Sequence, residues 1–278
     1  VTIDFEQHRS HLRGVAYRML GSLAEADDAV QETWLRLDRA LPTDVGNPRG
    51  WLTTVVARIC LDMLRARTSR REDPLGPRAD RPTTTDAEQA LMLTDSVGLA
   101  LLVVLDRLEP AERLAFVLHD LFAVPFDEIA AIVGRSPDAT RQLASRARRR
   151  VRGSPPPDLD IASQRQVVET FIAALRRGDV EGLIAVLDPE VVGRAVDDQG
   201  NVREVRGART WASGAVTFKH LANHMAPVLL DGAIGLVMAP KGRLFRVLRF
   251  TFDGDRITGA EVVSDRAQLA ALDIAAIE

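Results

Sequence analysis

The stretch Val124–Arg152, VPFDEIAAIVGRSPDATRQLASRARRRVR, decides how the rest of the chain is read. With a helix begun at Phe126, apolar Ile129, Ile132 and Val133 fall on one face, with small Ala130 beside them. Gly134 can break that helix, because without a Cβ it enters the left-handed region at no steric cost. Ser136 and Pro137 then start a second helix, the serine as N-cap and the proline at the first position. That helix ends in Arg146, Arg148, Arg149, Arg150 and Arg152. Two short helices, a tight turn and a basic second helix predict a helix-turn-helix, whose second helix enters the major groove of DNA. The competing reading is a plain helical hairpin with a solvated arginine face. It leaves the shared register of small residue, glycine, N-cap and basic run unexplained.

Around this motif the bulk properties set limits. At 278 residues the chain has room for two or three domains, and 46% hydrophobic content supports packed cores. The net charge of −3 hides local blocks of opposite sign. Arg58, Arg65, Arg67, Arg70 and Arg71 stand against Asp62 alone, whereas Glu25, Asp27, Asp28 and Glu32 form an acidic block. The lone Cys60, flanked by Ile59 and Leu61, reads as a buried structural thiol and excludes an internal disulfide or a cysteine metal cluster. We expect no metal and no cofactor. No apolar run is long enough to span a membrane, and the opening VTIDFEQHRSHLRG is polar, so a cytoplasmic protein without membrane contact is expected.

Residues 4–71 read as helical, within a first domain of residues 1–71. Leu12, Val15, Ala16 and Met19 share one face, Gly21-Ser22 interrupts, and Ala26, Val30, Trp34 and Leu37 form the inward stripe of a second helix. After a loop from Pro42 to Pro48, a third helix turns Trp51, Val55, Ile59 and Leu64 inward. Residues 72–85 have the Pro, Asp and Arg content of a linker. A helix from about Asp86 to Leu108, another behind Pro110 and the helix-turn-helix fill residues 86–153. The prolines of 154–160 make a second, semi-rigid linker. Residues 161–278 differ in kind: two helices, then EVVGRAV, HMAPVLLDG, AIGLVMA, RLFRVLRFTFD and RITGAEVVS as strands. Asp231-Gly232, Lys241-Gly242 and Asp253-Gly254 read as hairpin turns between them. Helices followed by a curved antiparallel sheet imply an α+β domain.

The order of DDAVQETWLRL, NPRGWLTTVVARICLDMLRAR and LEPAERLAFVLHDLFAVPFDEIAAIVGRSPDATRQLASRARRRV resembles the extracytoplasmic-function (ECF) bacterial sigma factors over residues 4–152. FIAALRRGDVEGLIAVLDPEVV is similar to the opening of a SnoaL-like domain of the NTF2-like superfamily, and one ECF subgroup carries such an extension. The resemblance implies a multidomain fold: two all-α sigma domains, the sigma domain 2 bundle and the sigma domain 4 helix-turn-helix, then an α+β cone-shaped barrel. Asp197-Asp198-Gln199-Gly200 stands where that subgroup often has an Asp-Gly-Gly motif. Ser264-Asp265-Arg266-Ala267-Gln268-Leu269 stands where it tends to close with an Asn-Pro-Asp-Lys-Leu-like motif.

The same resemblance assigns surfaces. Asp27, Asp28, Gln31, Glu32 and Arg36 match the face that docks on the polymerase β′ clamp, where complementary charge sets encounter and register. Sigma domain 4 is expected to meet the β flap. Asn47, Arg49, Trp51, Arg58, Arg65, Arg67 and Arg70 are candidates for the −10 element, the arginines holding phosphates. The loop Leu41–Asn47 matches the pocket that takes a flipped base. Trp51 is read either as a stacking partner for a base or as core. For the −35 element the candidates are Arg135, Ser136, Asp138, Thr140, Arg141, Gln142, Ser145, Arg148 and Arg149. Arg141 is the first choice for a guanine, Arg148 and Arg149 suit phosphates, and Thr140 is equally placed to pack inward.

The C-terminal third is open to three readings: regulator, ligand sensor or enzyme. The tyrosine oxyanion donor of ketosteroid isomerase is missing, since the only tyrosine is Tyr17. His220, His224, Asp197 and Asp231 remain as an unmotivated acid–base set, and the apolar strands as walls of a small-ligand pocket. The expectation is an alternative sigma factor that performs no chemistry of its own, with the C-terminal domain packing on the sigma domains to tune them. The alternative is a one-component helix-turn-helix regulator with a ligand-sensing C-terminal domain.

Overall fold

The computed structural model describes residues 3–40, 46–69, 96–153, 160–196 and 202–277. The predicted linker at 72–85, nearly all of that at 154–160, Leu41–Val45, Arg70 and Asp197–Gly200 lie outside these residues. Two compact units form, one from residues 1–74 with 105–150, the other from 75–104 with 151–278.

The first unit opens with α1 (Glu6–Leu20), α2 (Leu23–Ala40) and α3 (Pro48–Ser69). Leu12, Val15, Ala16 and Met19 are fully buried, and α1 ends on Gly21 at φ +74°, whose N–H donates to the Tyr17 carbonyl. The inward stripe of α2 is Leu23, Ala26, Ala29, Val30 and Thr33, not the expected run through Trp34, which is 45% exposed. Thr33 can sit in the core because its hydroxyl donates to the Ala29 carbonyl at 2.7 Å, so no polar atom is stranded. On α3 the buried face is Leu52, Val56, Ile59, Cys60 and Leu64, with Trp51 and Val55 half-buried at its margin.

Next come α4 (Ser96–Asp106), α5 (Pro110–Phe116), a π-turn (Val117–Leu121), α6 (Phe126–Val133) and α7 (Pro137–Arg152). Leu99, Leu102, Val103, Val104 and Leu105 of α4 are all buried, as befits a helix apolar on every side. Gly134 closes α6 at φ +73°, and the Ser136 hydroxyl accepts the Ala139 N–H at 3.2 Å. Break and cap therefore fall where the sequence predicts them.

The second unit continues with α8 (Ile161–Arg177) and α9 (Val180–Ala185), capped by the Asp160 and Asp179 carboxylates. Then follow β1 (Leu187–Val196), β2 (Val202–Arg206), α10 (Ala208–Val216), a 3-10 turn (Lys219–His224), β3 (Met225–Leu230) and β4 (Ala233–Met238). The unit ends with β5 (Arg246–Asp253), β6 (Arg256–Val263), α11 (Arg266–Ala271) and β7 (Ile274–Ala275). The strand order is β2-β1-β6-β5-β4-β3-β7. The α+β build is as expected, but the sheet is mixed and open: β1 and β6 run parallel, and β2 and β7 are edges. The cause is α10, which carries the chain away before the β3–β6 meander begins and lets β6 return beside β1.

One sheet face packs Leu236, Leu248, Phe250 and Ile257 against Val168, Phe171, Ile172 and Leu175 of α8. Gly193 on that face leaves room for Trp211: a Cβ there would lie 2.2 Å from the indole ring. Asp231 and Gly232, at φ +51° and +85°, form the type I′ turn expected of Asp-Gly. β5 and β6 close tightly, with Asp253 opposite Arg256. Lys241-Gly242 does not make a hairpin; it belongs to a 3-10 turn opened by Pro240, whose ring fixes φ and removes a donor. At the end of α7, the Val151 carbonyl accepts the Ala276 N–H at 2.8 Å. A Cβ on the following Gly153 would lie 2.5 Å from that of Ala275.

Candidate nucleic-acid and polymerase interfaces

Helix α7 separates its residues cleanly. Thr140, Leu143, Ala144, Ala147 and Val151 are buried. Asp138, Arg141, Gln142, Ser145 and Arg149 are exposed, spaced three and four apart on the opposite side. Arg135 and Ser136 are exposed in the turn before it. Arg141 donates to the Asp138 carboxylate and lies 5.7 Å from the centre of the Phe126 ring. Thr140 leaves the expected reading face altogether: it has no exposed surface, and its hydroxyl donates to the Ser136 carbonyl at 2.9 Å.

The basic run that follows is not uniform. Arg146 and Arg150 both donate to the buried Glu112 carboxylate, at 2.8 and 2.7 Å, and so tie α7 to α5. Arg148, expected on phosphate, is held by Asp120 of the π-turn. Arg149 remains on the exposed stripe.

On α3 the Asn47 carboxamide oxygen accepts the Gly50 N–H at 3.0 Å, which makes Asn47 the N-cap. Arg49 donates to His11 Nδ1 at 3.1 Å, and His11 Nε2 meets the Thr53 hydroxyl at 3.0 Å. With Arg49 as donor, the ring is the neutral tautomer protonated on Nε2. Burial, then the Arg49 and His8 charges, push the His11 pKa down and favour that form. Arg58 and Arg65 are exposed, and half-buried Trp51 keeps some accessible surface. Arg67 donates to the Leu20 carbonyl at 3.2 Å and to the Glu25 carboxylate, so in this structure it closes the bundle.

On α2, Asp27, Asp28 and Gln31 are exposed. Asp27 pairs with Arg13 at 2.7 Å, and Glu32 with Arg36 at 2.9 Å. Trp34, one helical turn beyond Gln31, adds a large apolar surface to this acidic face. Sequence reasoning missed it by placing Trp34 in the core; the signal was Thr33, a β-branched residue able to bond its own helix backbone.

Of the acid–base set, Asp197 lies outside the described residues, and His224 and Asp231 stay apart. His224 precedes β3 and Asp231 follows it, so the six-residue strand separates them by roughly 20 Å. Asp231 is bonded to Arg249 at 2.7 Å and to the Asp273 N–H at 2.9 Å. Burial pushes the half-buried His224 pKa down. A groove of about 510 Å³ lies on the sheet face away from α8, lined by Val192, Arg194, Arg249, Thr251 and Glu261 among others. Its arginines are already matched, Arg249 to Asp231 and Arg194 to Glu204. Among the described residues no cluster of three or more His, Cys, Asp or Glu could hold a metal. No described helix is long and apolar enough to cross a membrane.

Sigma-70 region 2 matches residues 5–70, and Sigma-70 region 4 matches residues 98–151. The ECF RNA polymerase sigma factor SigJ of Mycobacterium tuberculosis is 43% identical over 219 residues, covering 74% of this chain and 69% of that protein. The probable ECF RNA polymerase sigma factor SigI of the same species is 35% identical over 269 residues, covering 95% and 92%. The crystal structure of M. tuberculosis SigJ aligns at 32% identity with a TM-score of 0.46, over 96% of this chain and 97% of that one.

Proposed function

The chain belongs to the ECF RNA polymerase sigma factors, and from that premise we propose how its surfaces divide the work of an alternative sigma factor directing transcription initiation. The acidic face of α2, with Asp27, Asp28, Gln31 and Trp34, docks on the β′ clamp of core polymerase, and the residue 98–151 region meets the β flap. Arg49, Trp51, Arg58 and Arg65 serve the −10 element. Arg135, Asp138, Arg141, Gln142, Ser145 and Arg149 serve the −35 element. The observation that carries this reading is the split of α7 into one buried and one exposed stripe, because a helix inserted in the major groove needs one such face.

No chemistry is assigned to the chain itself; bond formation belongs to the polymerase. The second unit is a regulator of the first. The groove on the sheet is the candidate place for a small ligand.

Run-off transcription with purified core polymerase tests the reading, comparing the full chain with a truncation near Arg152. Selective initiation by the full chain is expected, and a changed rate on truncation gives the sign of regulation. No polymerase binding and no initiation by either form would leave a one-component regulator. Trp34→Ala should weaken core binding by about 2 kcal/mol or more, the scale of an aromatic hot spot, in a competition assay.

A further inference from the structure

On the basis of the promoter assignment above, we infer that Phe126, backed by His119, is the positioning residue that sets the Arg141 guanidinium in reading geometry before DNA arrives. The Arg141 Cζ lies 5.7 Å from the centre of the Phe126 ring. Phe126 in turn stacks on His119, with ring centroids 3.8 Å apart and planes 26° from parallel.

The chain builds this contact locally. His119 belongs to the π-turn Val117–Leu121, a rare element in which each N–H reaches one residue further back than in an α-helix. The segment after it folds back: the Ala123 N–H donates to the His119 carbonyl at 3.1 Å, and the Val124 N–H to the Leu118 carbonyl at 2.9 Å. Ala123 takes φ +55° to allow this, an uncommon conformation for a residue with a Cβ. His119 Nδ1 lies 3.1 Å from the Val124 carbonyl, and a carbonyl only accepts, so Nδ1 carries the hydrogen. Pro125, with φ fixed near its ring value, completes a stiff approach to Phe126. Core packing does not account for the ring. The buried face of α6 is Ile129, Ala130, Ile132 and Val133, and Phe126 stays half-buried at the start of the helix.

The guanidinium needs such a support. Its Nη1 donates to the Asp138 carboxylate, a pair of exposed groups that water and salt weaken. That bond holds one corner and leaves the plane free to swing. An aromatic surface attracts the cation and restrains its orientation. The Nε–Nη2 edge then has no bond among the described residues. Two parallel N–H groups on one edge are what guanine O6 and N7 accept. A long side chain held this way also has less freedom to lose on binding.

Two readouts on the full chain form the test. NMR relaxation at the Arg141 Nε reports the order of the guanidinium in the free protein. Binding of the complex with core polymerase to promoters carrying each base pair at each −35 position reports selectivity. Phe126→Leu should lower the order at Nε. It should also cut base preference about two- to fivefold, the scale of an exposed cation–π contact, at the position whose preference Arg141→Ala abolishes. Preferences at the other −35 positions should hold, since a damaged helix-turn-helix would lower them all alike. Phe126→Tyr keeps the ring and should retain both readouts. His119→Ala should act as Phe126→Leu does but more weakly, and it takes that variant's place if Phe126→Leu does not fold. Unchanged order at Nε, or equal losses at every −35 position, overturns the positioning role. So does lowered order with base preference intact, where Arg141→Ala abolishes that preference. Lowered order when Arg141→Ala itself changes no base preference leaves the stack standing and removes the promoter reading of Arg141.

Discussion

Helices α3 and α7 are both rich in arginine, four in 22 residues and six in 16, and use them in different ways. On α7 the exposed stripe keeps Arg141 and Arg149 beside short polar residues, while Arg146, Arg148 and Arg150 are drawn back to Glu112 and Asp120. On α3 the division runs along the axis. Arg58 and Arg65 stay exposed, whereas Arg67 turns into the bundle and fastens α1 and α2 through Leu20 and Glu25. A run of like charge is thus no measure of an interface. What decides each arginine's role is whether the fold brings a carboxylate or an orphan carbonyl within reach.

Substitutions can break this division. Glu112→Ala removes a buried carboxylate that holds two arginines and should cost about 3 kcal/mol of stability in denaturant unfolding, the low end for a broken buried pair because both guanidinium groups are half exposed. Unchanged stability would mean that Arg146 and Arg150 belong to the DNA face after all. Arg141→Ala should cost about 1–3 kcal/mol at one −35 base position and leave the fold intact; equal losses for every −35 variant would make it a phosphate contact. Arg67→Ala should cost about 1–2 kcal/mol of stability and speed alkylation of buried Cys60. Arg65→Ala is the counterpart: no measurable change in melting, and a salt dependence of promoter binding shallower by about one unit of slope. If Arg65→Ala melts early and Arg67→Ala does not, the two roles are reversed.

What could be read from sequence was what depends on local backbone. Gly134 and Ser136 act within a few residues of themselves, so break, cap and reading helix were all visible. Asp231-Gly232 was visible for the same reason. Trp34 was not, because its exposure follows from Thr33 bonding its own helix. Arg67 was not, because its carboxylate partner lies 42 residues away. Glu112 and Arg146, 34 residues apart, are hidden likewise. Lys241-Gly242 misled because the adjoining Pro240 imposes a different turn. The parallel β1–β6 pair depends on where the α10 crossover returns the chain, which no strand pattern encodes.

Helix α7 runs unbroken from Pro137 to Arg152, yet its last turn is anchored by Ala276 and its end abuts Ala275. Anyone recombining this chain with a relative would be drawn to splice at the prolines after Gly153. Such a chimera would inherit a foreign strand against a native helix end, with no space at Gly153 for a side chain larger than hydrogen. The exchangeable cassette therefore starts before Val151, so that Val151, Gly153, Ala275 and Ala276 are inherited together.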